Sequence, residues 1–201
     1  MSIIEIFFRG YVKLINIYLL KNLIMTKPIL VHLSLGSNLG NKLSFLNEAC
    51  NELESELLKD FRVSTIFESK PLLKMKQPNY FNIVVCGLTN LSPFELLKKC
   101  HFIEDRLGRV RSKKWDSRTI DLDILSYGNE IIDTEILKIP HPEIENRNFV
   151  LIPLLELSPN WIHPVLGIDI KMLCERLQNI NGEDLPKPLK QKINSTYHML
   201  V

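Results

Sequence analysis

The order of strand-like and helix-like segments predicts an α+β fold, a ferredoxin-like β-α-β-β-α-β core with a C-terminal extension. Three observations predict it. Short strand-like apolar stretches occur four times, apolar residues recur at helical spacing in two stretches between them, and Gly or Pro punctuates nearly every junction. With 201 residues, 45% of them hydrophobic, the chain has enough apolar side chain for one buried core.

The first strand is PILVHLSLG, Pro28 to Gly36, and a helix is expected over Ser37 to Leu58, where Leu43, Leu46, Ala49, Cys50, Leu53 and Leu57 form one apolar stripe. Phe61 to Ser69 alternates as the next strand, PLLKMKQPN is a Pro-bounded loop, and Tyr80 to Asn90 is the third strand. Ser92 is placed to cap the second helix, with Pro93 in its first turn, Glu95 three residues on and Gly108 as its stop. Thr119 to Gly128 completes the pattern. Beyond it come a short strand, the loop KIPHPEIENRNF, the helical turn VLIPLLEL and a late helix near Lys171 to Leu177. Residues 27–180 are expected to form the folded domain, with residues 181–201, which include LPKPLKQK, as a loose tail.

Residues 1–26 are apolar, but Arg9, Lys13 and Lys21 interrupt them, so no continuous run approaches the ~20 residues that a spanning helix needs. No small-residue cleavage site follows, and Met25 stands just before the first strand; the segment reads as a poorly packed extension upstream of the true start. The formal charge of +2 gives no ground for a nucleic-acid or membrane partner. Cys50, Cys86, Cys100 and Cys174 are scattered without a C-x-x-C pair, as expected of a reducing, cytoplasmic protein. GSNLGNK has three residues between its glycines and lacks the G-K-[ST] ending, so it is a strand-to-helix turn rather than a P-loop.

The chemistry-bearing stretch is KKWDSRTIDLDILSYG, Lys113 to Gly128. In a strand, Asp121 and Asp123 point to one face while Ile120, Leu122 and Ile124 point to the other. Two carboxylates so close repel unless a cation lies between them, and hard oxygen donors suit Mg²⁺, which takes few protein ligands and completes its shell with water and phosphate. A structural ion pair with neighbouring Arg and Lys produces the same pattern. The basic approach, Arg109, Arg111, Lys113, Lys114 and Arg118 around Trp115, weighs toward a polyphosphate, which satisfies both signs at once.

WDSRTIDLDIL resembles the signature of the 6-hydroxymethyl-7,8-dihydropterin pyrophosphokinase family, and LSLGSNLGNK, QPNYFN, GRVR and IPHPEIENRNF follow the family's order over roughly Ile29 to Gly167. The resemblance implies the ferredoxin-like fold and transfer of the diphosphoryl group of ATP to the pterin in folate biosynthesis, with release of AMP. It implies Asp121 and Asp123 as ligands of two Mg²⁺ ions, Arg109, Arg111, Arg118 and Asp121 as catalytic, and Arg111, Lys113, Trp115, Arg118, Ile124, His141 and Arg147 on the ATP side. It further implies Ser69, Leu72, Tyr80, Asn82, Trp115, Asp121 and Phe149 around the pterin, and a monomer whose partners are ATP and the pterin, without nucleic acid or membrane. The loop from Gly108 to Arg118 is expected to close over ATP. Asp116 departs from the small residue usual in the family, and it is the one support for the alternative of a catalytically weakened binding protein of the folate pathway.

Overall fold

The structure is a computed structural model and describes residues 27–71, 76–109, 117–181 and 185–194. The extension expected over residues 1–26 lies outside the described residues. Strand β1, Ile29–Ser37, buries Val31, Leu33 and Leu35 on one face and turns His32, Ser34 and Gly36 to the other. Helix α1, Lys42–Glu52, starts later than the expected Ser37. Ser37 still belongs to β1, and the turn after it ends at Asn41, whose side chain accepts the Ser44 N–H at 3.2 Å and caps the helix. A wider π-type turn, Leu53–Leu57, ends it.

The stretch Phe61 to Ser69 forms two strands rather than one, β2 at Lys59–Val63 and β3 at Phe67–Ser69. Between them Ser64 donates its N–H to the Val84 carbonyl and accepts the Val84 N–H on its hydroxyl, both at 3.0 Å, while Thr65 gives its N–H and hydroxyl to Glu156. Side chains have taken over the ladder there. Strand β4, Tyr80–Thr89, pairs with both β2 and β3. Helix α2, Pro93–Arg106, carries the anticipated capping box: Glu95 accepts the Ser92 N–H at 2.8 Å and the Ser92 hydroxyl accepts the Glu95 N–H at 3.4 Å. Strand β5 is Asp121–Tyr127.

Strand β1 lies between β4 and β5 and is antiparallel to both, so each helix connects two parallel strands that have a third between them. This is the ferredoxin-like arrangement. Helices α1 and α2 cover one face, where Leu46, Leu53, Leu96, Cys100 and Ile103 meet Val31, Leu33 and Leu122. The C-terminal extension covers the other with α3, Asn148–Leu157, and α4, Ile170–Asn181, through Val150, Leu151, Leu154, Ile170 and Leu173 against Val84 and Leu125. The hairpin β6 (Ile132–Asp133) and β7 (Lys138–Ile139) leads by a turn at Ile144–Asn146 into α3. The segment expected as a loose tail contains β8, Lys187–Pro188, which pairs with Phe67 and Glu68 at the sheet edge. Proline is tolerated at such an edge. Among the described residues no helix is long and apolar enough to cross a membrane.

Strand β5 holds a bulge. Leu33 pairs with Ile124 and His32 with Ser126, which leaves Leu125 as the extra residue. Leu125 and Ser126 therefore both face α3, and the Ser126 hydroxyl lies 2.7 Å from His32 Nδ1. The other ring nitrogen lies 2.8 Å from the Ser158 hydroxyl, and His32 is only 2% exposed. Burial, with the Arg62 charge second, lowers the His32 pKa from 6.5 to about 4. Between those two values the unfolded chain binds a proton that the folded chain does not, so stability is fully present above pH 6.5 and falls as the pH drops toward 4. The full effect is on the order of 3 kcal/mol. His32→Gln keeps a polar side chain that gains no proton, so the stability advantage of the wild type over this variant, measured by urea unfolding, is expected to shrink steadily from pH 7 to pH 4. A difference that does not change with pH would contradict this account of His32.

Candidate active site

Asp121 and Asp123 stand opposite Gly36 and Ser34 of β1, on the face that α3 covers. Asp121 is held from two sides: Arg109 Nη1 lies 2.6 Å from one carboxylate oxygen and Arg118 Nη1 2.6 Å from the other. Arg109 reaches it because of how α2 ends. Gly108 takes φ +76° and donates its N–H to the Asp105 carbonyl at 3.1 Å, and the Arg109 N–H returns to the Glu104 carbonyl at 3.0 Å. This glycine-dependent turn folds the chain back over its own last turn. The Arg109 guanidinium also pairs with the Glu104 carboxylate, and the same Glu104 oxygen accepts the Leu122 N–H of β5 at 2.8 Å.

Glu104 is 1% exposed and escaped the sequence reading, although its signal was there. It falls on the stripe Leu96, Cys100, Ile103, Leu107, where an acid has no place unless a cation meets it.

Asp123 is less fully compensated. Arg147 Nη1 is 3.8 Å and His141 Nε2 3.9 Å from its carboxylate, both beyond hydrogen-bonding distance. Burial, followed by the charge of Asp121, pushes its pKa up to about 6. His141 is anchored by its N–H on the Leu125 carbonyl at 2.9 Å, and its Nδ1 accepts the Glu143 N–H at 3.0 Å. The neutral ring then carries its proton on Nε2, toward Asp123. Burial and then Arg147 lower the His141 pKa to about 4 and keep it neutral.

The second wall comes from β4. Tyr80 and Asn82 face the same side as the acids, and Asn82, 3% exposed, donates to the Ser69 hydroxyl at 2.8 Å. Gly36 provides the room: a Cβ there would stand 3.1 Å from Asn82 Oδ1 and 3.8 Å from the Tyr80 ring. Burial raises the Tyr80 pKa against the opposing charge of Arg118. Phe149, in the first turn of α3, packs against the second core cluster, and the Arg147 guanidinium lies 5.9 Å from its ring centre.

The fold thus gathers Arg109, Arg118, Asp121, Asp123, His141 and Arg147 around an acidic strand, flanked by Ser69, Tyr80, Asn82 and Phe149. Ile124 is the exception. Its side chain lies in the core on the opposite face, so only its main chain can meet a ligand; Leu122, two residues earlier, directs its N–H to the outer edge, and period 2 puts the Ile124 N–H on that edge too. Leu72, Arg111, Lys113 and Trp115, as well as Asp116 and the part of the loop expected to close over ATP, lie outside the described residues. Asn38 and Ser117, which the sequence did not single out, join the site from its rim.

The donor set fits magnesium. Among the described residues no group of three or more His, Cys, Asp or Glu gathers to make a cage, whereas two carboxylates beside several guanidinium groups suit an ion that shares its shell with phosphate and water. Guanidinium groups are chemically suited to phosphate oxygens, and aromatic and amide groups to a flat polar ring.

Comparison with known proteins agrees. The profile of the 7,8-dihydro-6-hydroxymethylpterin-pyrophosphokinase (HPPK) family matches residues 32–159. The 2-amino-4-hydroxy-6-hydroxymethyldihydropteridine pyrophosphokinase of Aquifex aeolicus is 45% identical over 141 residues, which cover 70% of this chain and 88% of that protein. The protein of the same name from Haemophilus influenzae is 44% identical over 138 residues, 68% of this chain and 86% of its own length. The folic acid synthesis protein fol1 of Pneumocystis carinii is 42% identical over 147 residues, and the chain spans only 20% of that longer protein. Among solved structures, wild-type Plasmodium falciparum HPPK-DHPS with pteroate superposes with a TM-score of 0.64 at 18% identity, over 83% of this chain and 48% of that one, and so bears on the fold. From the family profile and these identities, the chain belongs to the 7,8-dihydro-6-hydroxymethylpterin-pyrophosphokinase family.

Proposed function

We infer that the protein transfers the β,γ-diphosphoryl group of ATP to the hydroxymethyl group of 6-hydroxymethyl-7,8-dihydropterin and releases AMP, a step of folate biosynthesis. The observation that carries this reading is the acid pair Asp121 and Asp123 on one strand face, with Arg109, Arg118 and Arg147 about it and the Tyr80–Asn82 wall beside it. The relatives from Aquifex aeolicus and Haemophilus influenzae bear the name of this activity. The buried, free thiols Cys50, Cys86, Cys100 and Cys174 agree with work in a reducing compartment, the cytoplasm, where we take the protein to act as a monomer.

Asp121 and Asp123 hold two Mg²⁺ ions when ATP is bound. Bound there, Mg²⁺ supplies charge neutralisation and alignment of the phosphates. The residues of the chain do the rest. Asp123, compensated by Arg147 only at 3.8 Å, has charge to give to a cation, while Asp121 orients Arg109 and Arg118 toward the same space. These guanidinium groups meet the negative charge that spreads over the transferring group as the pterin hydroxyl oxygen, its proton passing to solvent, bonds to the β-phosphorus and the bond from the β-phosphorus to the α,β-bridging oxygen breaks, with AMP leaving. His141, held neutral, and Arg147 line the nucleotide side, where Ile124 offers its main chain. Tyr80 and Phe149 sandwich the pterin ring, and Asn82 reads its edge with an orientation fixed by Ser69.

Incubation with ATP, Mg²⁺ and the reduced pterin is expected to yield AMP in step with a diphosphorylated pterin; ADP as the nucleotide product would show a different reaction. Asp121→Asn and Asp123→Asn are each expected to lower the rate by roughly two orders of magnitude or more while the fold survives. In the Asp123→Asn protein without ligand, thermal stability should equal or exceed that of the wild type, because one of two neighbouring like charges is gone. Full activity of this variant at ordinary Mg²⁺ would remove the acid pair from the mechanism.

A further inference from the structure

Asn38 follows the last residue of β1, is 1% exposed, and its hydrogen bonds reach two separate parts of the chain, residues 77–78 and 117–118. Its backbone N–H donates to the Arg118 carbonyl at 3.2 Å, and its side-chain Oδ1 accepts the Arg118 N–H at 2.8 Å. The reciprocal pair fixes the backbone of Arg118, the residue that grips Asp121. From the other end of the same amide, Nδ2 points at Gln77 Oε1 (3.3 Å), the Pro78 carbonyl (3.4 Å) and the Ser117 hydroxyl (3.3 Å). Pro78 lies two residues before Tyr80 and Ser117 one before Arg118. A single buried amide therefore joins the backbone that carries the phosphate-side arginine to the backbone that carries the pterin-side tyrosine.

The chemistry requires an amide of this length. The Arg118 N–H demands an acceptor, and the cluster of Gln77, Pro78 and Ser117 oxygens demands a donor, which Asn supplies from opposite ends of one planar group. A carboxylate satisfies the first demand but turns its other oxygen, an acceptor without a hydrogen, on the second. An alanine satisfies neither and leaves buried polar groups unpaired. The amide is mounted on β1, whose next residues inward, Ser37 and Gly36, are paired to Phe81 and Asn82 of β4. Movement of either segment is thus passed to the other through a fixed point on the sheet.

We propose that Asn38 is a positioning residue that couples the nucleotide and pterin sides of the site, so that filling one side favours filling the other. The proposal rests on the assignment of these two sides given above. Because it concerns a coupling free energy, its signature is the ratio of affinities for one ligand with and without the other, a quantity that general loss of structure does not mimic.

The test uses the full chain and titrates the reduced pterin by calorimetry, alone and with saturating Mg²⁺ and an ATP analogue carrying methylene between the α- and β-phosphorus atoms. In the wild type the analogue is expected to tighten pterin binding by about tenfold or more, and in Asn38→Asp this factor should fall toward about one. The affinity of the variant for the analogue alone should stay within roughly threefold of the wild type, while its single-turnover rate drops by about tenfold or more. Gln77→Ala and Ser117→Ala remove acceptors and leave the buried amide in place, and each should reduce the coupling factor in part, which keeps the idea testable if Asn38→Asp does not fold. A wild-type factor near one, or variants that retain the wild-type factor, would overturn the proposal while leaving the activity assignment intact. A wild type that binds neither ligand and makes no AMP would overturn that assignment, and the proposal with it.

Discussion

Asp121 is the side chain on which the two arginine-bearing segments of the site converge. One of its carboxylate oxygens holds the arginine that follows α2 and the other holds the arginine that precedes β5, so the two segments that flank these elements are brought to one point. Without that carboxylate the two guanidinium groups would face each other across the strand with like charge. The arrangement is stable because Arg109 is shared with Glu104, which is buried and needs the cation for itself. Glu104 in turn accepts the Leu122 N–H and ties helix to strand. Fold and site are therefore one electrostatic chain, from the helix stripe through Arg109 to the strand.

The opposite arrangement governs Asp123. Its neighbours are cationic or polar but stand almost 4 Å away, and its pKa rises accordingly. The two acids, alike in sequence, are divided by their surroundings into one gripped closely by two arginines and one whose nearest cationic group stays beyond hydrogen-bonding distance. His141 completes the division: a protonated imidazole would draw Asp123 into a protein ion pair, and burial beside Arg147 keeps the ring neutral.

Much of this was legible in the sequence because it is local. The capping box at Ser92 and Glu95, the stop at Gly108 and the alternation about Asp121 and Asp123 each depend on residues within a few positions of one another. The β-α-β-β-α-β order and the family motifs fixed the rest of the architecture. What escaped was long-range. The break at Ser64 to Ile66 depends on Val84 and Glu156, and the edge strand at Lys187–Pro188 exists only because β3 presents Phe67 and Glu68 to it. Asn38 resembles any turn asparagine until its partners at 77, 78, 117 and 118 arrive from distant segments. Ile124, which motif matching places among the ATP-side residues, shows the converse: a motif position whose side chain is committed to the core, which leaves only its main chain toward the site.

The bulge at Leu125 separates the two halves of β5 into independent reading frames. Ahead of it, odd-numbered residues face α3 and even-numbered ones the α1–α2 core; after it the parity is reversed, so Ser126 meets His32 while Tyr127 turns back to that core and donates its hydroxyl to the Leu91 carbonyl at 2.7 Å. A strand with unbroken alternation would bind its acid end and its structural end to one common phase, and any slip that suited one would misplace the other. The extra residue insulates them. The half that anchors the sheet can be repacked without rotating the carboxylates, and the carboxylates can be exchanged without disturbing the half that holds the sheet together.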